Sequence, residues 1–271
     1  MSTKRKIQVP KLPIDEIVVD SMALSDYAKE AYKESLKAKT DNDTFHYYQG
    51  ILMRHHILNR DIHTLMGSPK HFSLNTIEII LRAMLDDFLH LSYLKMYSSK
   101  TDEAIIKLNA KEYAESFKSI KEAADINEQV FEGKDKNLPT QGYYDHVLAK
   151  FKSVDQNAKY FKTDEKTDFK GFLQMKQVVA KLCAQKNYAN NAVRAYYLWK
   201  SYSGIVHYSS VSFDREKHWH DGYYKMIQES LLYSFNTIGL AIDFFDSNGH
   251  FSFFCDDKFL ERGYVFFSFD E

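Results

Sequence analysis

The chain has 271 residues, of which 44% are hydrophobic, 27% are charged and 15% are aromatic, and its formal net charge is −1. A chain of this length can bury a core without disulfide bonds, and a charge near zero provides no overall field that would attract a polyanion. Only four prolines and ten glycines leave few turns, which disfavours an all-β sandwich or barrel and favours long helices.

The first 13 residues are basic and contain two prolines, so we expect an extended segment there. They include no apolar leader segment, and no part of the chain approaches the roughly 18 apolar residues of a membrane helix. Cys183 and Cys255 lie far apart and have no Cys-x-x-Cys partner, which indicates neither a disulfide framework nor a zinc ribbon. We therefore predict a cytoplasmic protein that does not associate with a membrane.

Apolar residues recur every three or four positions along most of the chain, which is the pattern of amphipathic helices. The pattern and its breaks predict helices over residues 15–39, 44–66, 73–97, 101–131, 141–161, 169–185, 190–208 and 217–245. A charged loop is expected over 162–168, and no linker is long enough to divide the chain. The sequence thus predicts an all-α fold, a bundle of six to eight helices over residues 14–249.

The C-terminal tail, residues 250–271, is rich in aromatic residues, and its segments 251–254 and 264–269 are too apolar to remain in solvent. Both alternate well enough to form short strands. We expect either a small hairpin or a tail docked on the bundle.

One candidate site lies in the predicted helix 73–97, where Arg82 and Asp86 interrupt an apolar run. Residues four apart share one face of a helix and can form a salt bridge. Because a buried charge must be paired, the two side chains form either a structural lock or the floor of a polar site.

A second candidate site lies near the end of the predicted helix 190–208. Ser203 and His207 are four apart, and Tyr202 precedes them. A serine and a histidine at this spacing seldom form a nucleophile and its base, since an exposed oxyanion site would also be needed. The plainer interpretation is a core histidine that is hydrogen-bonded to a neighbour.

Together, Arg82-Ala83-Met84-Leu85-Asp86 and the later Tyr202-Ser203-Gly204-Ile205-Val206-His207 resemble an uncharacterised family of prokaryotic helical proteins. That pattern has Arg, three residues and an acid, followed by a downstream segment from Ser to His. Asp86 stands where Glu is usual, and the resemblance covers residues 74–245. Such families are compared with the HEPN superfamily of helical bundles, many of which are metal-independent ribonucleases or toxins in antiviral defence.

The HEPN resemblance implies a catalytic pair of Arg and His, four to six residues apart at the start of a helix and duplicated in a dimer. Arg215 and His220 have this spacing just before the last long helix, although Glu216 replaces the usual neutral polar residue. A histidine can move the proton of a 2′-hydroxyl or of a leaving oxygen, and an arginine can stabilise the phosphorane. His207 and Arg82 are the alternative catalytic residues.

No cofactor or metal is predicted. Asp87-x-x-His90 has the acid-x-x-His spacing of a di-metal bundle, but such sites require this motif twice. The partners that we expect are RNA, or a protein or second copy of the chain. The competing functional hypothesis is a non-catalytic helical module that binds a protein partner, in which Arg82, Asp86 and His207 only stabilise the bundle.

Overall fold

The computed structural model describes residues 14–38, 40, 42–68, 74–96, 100–185, 188–204, 221–249 and 257–267. Over these ranges the regular elements are helical, which confirms the predicted all-α fold. The α-helices are α1 (Ile14–Ser35), α2 (Asp43–Met66), α3 (Leu74–Met96), α4 (Thr101–Phe131), α5 (Gln141–Ser153), α6 (Met175–Cys183), α7 (Ala189–Ser203), α8 (Asp221–Ser247) and α9 (Asp257–Glu261), and a 3-10 helix covers Asp155–Tyr160.

The chain divides into two compact units, although the sequence shows no linker between them. The first unit comprises residues 1–98 and 175–271, and the second comprises residues 99–174. In sequence, the second unit thus lies between α3 and α6 of the first.

In the first unit, α8 is the central helix. Every residue from 227 to 242 is buried, including the polar side chains Gln228, Glu229, Asn236 and Thr237. A helix that is buried on all sides lies in the middle of a domain, and α8 contacts α1, α2, α3 and α7. The helix α3 is the second core element, because it packs against α2, α6, α7 and α8.

The start of α2 is fixed by local chemistry and by aromatic packing. The side chain of Asn42 accepts a hydrogen bond from the backbone N–H of Phe45 at 2.7 Å, which caps the helix. The Phe45 ring meets Phe245 edge-on at 4.9 Å, and Tyr48 stacks on Phe244 at 4.0 Å. These rings attach α2 to the C-terminal end of α8.

The C-terminal tail docks on α8 as an extended segment. Asn236 donates a hydrogen bond to the carbonyl of Val265 at 3.0 Å and accepts one from the N–H of Phe267 at 2.7 Å. Gly239 allows the close approach of the tail, because a Cβ there would lie 2.6 Å from the Phe266 ring, which would then have to move. Of the two predicted forms, the described part of the tail adopts the docked one; residues 250–256 and 268–271 lie outside the described ranges.

A buried carboxylate also anchors this tail. Asp20 of α1 is fully buried and pairs with the guanidinium of Arg262. The hydroxyl of Tyr264 donates to the same carboxylate at 3.2 Å, and burial raises the pKa of Tyr264. Both contacts involve residues about 240 positions from Asp20 in sequence.

The second unit has its own aromatic core between α4, α5 and the 3-10 helix. The rings of Tyr113 and Phe117 pack on Phe151 at 4.7 and 5.3 Å. An antiparallel bridge joins Phe161 to Phe169 and closes the turn over residues 162–168, where the sequence predicts a charged loop. The predicted helix 169–185 is therefore shorter in the structure, because Phe169 is held in this bridge and α6 begins at Met175.

Over the ranges that the structure describes, none of the long helices has a stretch apolar enough to cross a bilayer.

Candidate functional site

A group of polar side chains connects α3 to α7. We call it the α3–α7 cluster: Arg82, Asp86 and His90 of α3 with Trp199 and Ser203 of α7. The three α3 residues are spaced four apart, so they lie along one stripe of the helix, with a rise of about 6 Å per step. The two α7 residues are also four apart and face that stripe.

Arg82 is fixed in orientation by α7. Its Nε–H donates to the hydroxyl of Ser203 at 2.9 Å, and that hydroxyl donates to the carbonyl of Trp199 at 2.7 Å. The guanidinium carbon lies 5.1 Å from the centroid of the Trp199 ring, within the range of a cation–π interaction. Among the residues that the structure describes, no carboxylate comes within 4.0 Å of the Arg82 guanidinium, which leaves its charge available to an anion.

Asp86 lies at the centre of the cluster. One carboxylate oxygen accepts from Trp199 Nε1–H at 3.1 Å, and the other lies 3.5 Å from His90 Nδ1. Burial raises the pKa of Asp86, but the contacts with His90, the charge of Arg54 and the bond from Trp199 together outweigh burial, so its pKa lies below the ordinary value. The side chain is 36% exposed, whereas that of His90 is 10% exposed.

The salt bridge that the i, i+4 spacing predicts between Arg82 and Asp86 is not formed. Trp199 explains the difference, because it interacts with both side chains. Its indole N–H donates a hydrogen bond to the Asp86 carboxylate, and its ring forms a cation–π contact with the Arg82 guanidinium. Neither Trp199 nor His90 is among the site residues predicted from sequence. The available signal was the indole N–H, which needs an acceptor when the ring is partly buried.

Tyr202 belongs to a different part of the core. Its hydroxyl contacts the carbonyl of Met226 at 3.2 Å and the hydroxyl of Ser230 at 3.0 Å, both in α8. Burial raises the pKa of Tyr202 well above its usual range. Of the predicted polar core, the structure therefore brings Asp86 and Ser203 together with Arg82, while Tyr202 stabilises the contact between α7 and α8.

A second polar group, which the sequence does not predict, lies on another side of α3. We call it the buried network: Arg54, His55 and Asn59 of α2, Asp87 of α3 and Ser234 of α8. Asp87 Oδ2 lies 3.4 Å from His55 Nε2 and 3.2 Å from Arg54 Nε, and neither contact is an aligned hydrogen bond. His55 Nδ1 and Ser234 Oγ are hydrogen-bonded at 2.8 Å.

The buried network has the order of groups found in a nucleophile relay, a carboxylate, an imidazole and a hydroxyl. His55 and Ser234 are both fully buried, however, so no substrate can reach the serine hydroxyl. Asn59 donates a second hydrogen bond to that hydroxyl at 2.9 Å. These contacts tie α2, α3 and α8 together, and we interpret the network as structural.

Three of the predicted catalytic residues, His207, Arg215 and His220, lie outside the described ranges. The helix α8 is described from Asp221 onward, and residues 217–220, where the sequence predicts its start, lie outside the described ranges. His207, Arg215 and His220 therefore stay predictions from sequence. Within the described ranges, no group of three His, Cys, Asp or Glu side chains is arranged to hold a metal ion.

Comparisons with known proteins give no family for the chain. No family model matches it, and neither a curated protein nor a solved structure matches significantly. Its function is therefore inferred from the α3–α7 cluster and from the sequence motifs.

Proposed function

We propose that this protein acts on RNA as a metal-independent, HEPN-like endoribonuclease with a toxin-like or antiviral role. The observation that supports the proposal is the state of Arg82. Its guanidinium is held by Ser203 and Trp199 but has no carboxylate within 4.0 Å in the described part of the chain. An oriented, unneutralised guanidinium is suited to bind a phosphate group.

In the proposed reaction, Arg82 lies beside the phosphate group that is cleaved. An imidazole removes the proton of a 2′-hydroxyl, the 2′-oxygen attacks the phosphorus, and the bond to the 5′-oxygen breaks. The leaving oxygen takes a proton from an acid, which gives a 2′,3′-cyclic phosphate and a 5′-hydroxyl. Arg82 stabilises the negative charge that develops on the phosphoryl oxygens.

Asp86 is a positioning residue in this scheme. It holds the Trp199 indole N–H, and the Trp199 ring in turn supports the Arg82 guanidinium. The imidazole is to be identified among three histidines: His90, which contacts Asp86, and His207 and His220, which the sequence motifs indicate.

The test uses the full chain and a labelled single-stranded RNA in excess chelator, with products read on a denaturing gel. We expect cleavage by the wild type and at least a roughly 100-fold slower rate for Arg82→Ala, the usual cost of removing a charge-stabilising donor. Arg60→Ala is the matched control, since Arg60 is an exposed arginine of α2. No cleavage by the wild type, or equal rates for wild type and Arg82→Ala, would contradict the proposal.

The histidine is identified in the same assay. His90→Gln, His207→Ala and His220→Ala are compared, each after a thermal melt has shown that the variant is folded. One of them should lose cleavage by about 100-fold or more, the usual contribution of a general acid or base. If all three cleave at the wild-type rate, the assigned chemistry is wrong.

A protein-binding module is the second candidate function, because one observation favours it. At the C-terminal end of α4, Ile126, Val130 and Phe131 are 50%, 65% and 44% exposed. Apolar side chains grouped at a surface mark protein contacts. If this patch joins two copies of the chain, Val130→Ser should shift sedimentation toward the monomer; an unchanged sedimentation coefficient would remove the homodimer from consideration.

A further inference from the structure

The outer face of α7 carries aromatic rings and cations beside the α3–α7 cluster. Tyr196 and Trp199 are stacked, with ring centroids 5.7 Å apart and planes inclined by 13°. Tyr197 is 56% exposed, and Lys200 is exposed next to it. Tyr197 and Lys200 are three residues apart, so the exposed ring and the ammonium group lie within one turn of the same helix.

Two cations lie beside the Trp199 ring of this face, one from α3 and one from α7. The ammonium group of Lys200 lies 5.7 Å from the centroid of Trp199, and the Arg82 guanidinium lies 5.1 Å from the same ring. In the described part of the chain, no carboxylate lies within 4.0 Å of either group. Two positive charges beside one indole ring, with no carboxylate this near among the described residues, favour a ligand with phosphate groups.

Arg194 has a different role, because its charge is neutralised. It forms a two-pronged salt bridge to Glu229 of α8, at 2.6 and 2.7 Å, and the Glu229 side chain is 5% exposed. The Arg194 guanidinium also lies 5.1 Å from the centroid of the Tyr197 ring. Arg194 therefore backs the Tyr197 ring with a group that is itself fixed, which makes the ring a rigid platform.

We infer that this face of α7 binds single-stranded RNA, with a base stacked on Tyr197 and the backbone phosphates bound by Lys200 and Arg82. This inference rests on the proposed function, which makes RNA the substrate. It adds that the site selects single-stranded RNA over a duplex. A base in a duplex is already stacked on both sides, whereas an unpaired base can stack on an aromatic side chain. Stacking on one ring with contacts to phosphates requires no particular sequence.

The test measures binding separately from cleavage. The probe is a fluorescein-labelled 2′-O-methyl oligouridine strand, which cannot be cleaved because it has no free 2′-hydroxyl, and the competitor is a blunt RNA duplex of the same length. The variants are Tyr197→Ala, Tyr197→Phe and Lys200→Ala of the full chain. Tyr143→Ala and Lys150→Ala are the matched controls, an exposed tyrosine and an exposed lysine of the second unit.

Tyr197→Ala should raise the dissociation constant for the strand about 10-fold, the effect of losing one base–aromatic stack. Tyr197→Phe should bind like the wild type, because the ring is retained. Lys200→Ala should lower the slope of log Kd against log salt by about 0.7, the value for one phosphate contact on a single strand. Both controls should bind like the wild type.

Equal binding by Tyr197→Ala and wild type would overturn the inference, as would tighter binding of the duplex than of the single strand. The cleavage assay keeps the two proposals apart. Cleavage that depends on Arg82 but not on Tyr197 would leave the ribonuclease proposal standing and remove this one. Binding that depends on Tyr197, without any cleavage of ordinary RNA, would leave the binding site on α7 standing and remove the ribonuclease proposal.

Discussion

Asp86 and Asp87 are neighbours in sequence, yet they belong to two different polar groups. Asp86 is 36% exposed and lies in the α3–α7 cluster, where it accepts a hydrogen bond from Trp199 beside the Arg82 guanidinium. Asp87 is 5% exposed and lies in the buried network with His55 and Arg54. One step along a helix turns the side chain by about 100°, which is enough to direct adjacent carboxylates to different surroundings.

The comparison separates a carboxylate that stabilises the fold from one that positions a candidate site. In the buried network His55, Asn59, Asp87 and Ser234 are buried, whereas the Arg54 side chain is 50% exposed. Removal of one of the four buried groups leaves its buried partners without it. In the α3–α7 cluster, water reaches Asp86 and can replace a lost contact. Buried polar groups should therefore affect stability most, and the half-exposed ones should affect activity most.

The largest expected effect on stability is that of Asp87. We expect Asp87→Ala to lower the free energy of unfolding by about 3 kcal/mol, because it leaves His55 facing a buried vacancy. Asp86→Ala should lower it by only about 1 kcal/mol, since its contacts are partly exposed. Urea denaturation of the two variants measures both values, and losses of equal size would show that the two aspartates do not differ in this way.

A smaller effect is expected for the serines of the two groups. Ser234→Ala removes a hydroxyl that contacts both His55 and Asn59 in the core, and it should cost about 1.5 kcal/mol. Ser203→Ala removes a half-buried hydroxyl and should cost about 0.5 kcal/mol. The midpoints of thermal unfolding of the two variants provide the comparison. A larger fall in the midpoint for Ser203→Ala than for Ser234→Ala would contradict the structural role that we assign to the buried network.

The smallest effect is a dependence of stability on pH. The folded-state pKa of Asp86 lies below its ordinary value near 3.8, so the ionised form stabilises the fold above about pH 4. That contribution is lost as pH falls through the lower folded pKa. It should amount to less than about 1 kcal/mol because Asp86 is partly exposed.

To isolate this contribution, the free energy of unfolding of wild type and Asp86→Asn is measured between pH 6 and pH 2.5. The difference between them should shrink below about pH 4, where the wild-type carboxyl also becomes neutral. A difference that stays constant over this range would mean that Asp86 has no such ionic contribution.

Much of the fold could be predicted from the sequence, because periodicity and helix breaks are local signals. The predicted helix 101–131 matches α4, which ends where the backbone enters the left-handed region at Glu132 and Gly133, with φ of 52° and 71°. The division into two units could not be predicted, since it depends on packing between distant segments. The docked tail likewise depends on Asn236, whose amide could bond to many other groups.

The candidate site was predicted only in part. Arg82, Asp86 and Ser203 were identified from two short motifs, and the structure brings all three together. Their actual partners could not be read from spacing, because Trp199 outcompetes the local pairing of Arg82 with Asp86. The buried network could not be predicted from sequence, because His55 and Ser234 are 179 positions apart.

The most direct test of the difference between the two groups is one experiment on two variants, Arg82→Ala and His55→Gln, in which RNA cleavage and thermal unfolding are measured on the same preparations. Our account predicts that Arg82→Ala unfolds within about 3 °C of the wild type and cleaves at least about 100-fold more slowly. His55→Gln should unfold about 5 °C lower yet cleave at the wild-type rate where it is folded. Cleavage by Arg82→Ala at the wild-type rate, or loss of cleavage by folded His55→Gln, would contradict our account.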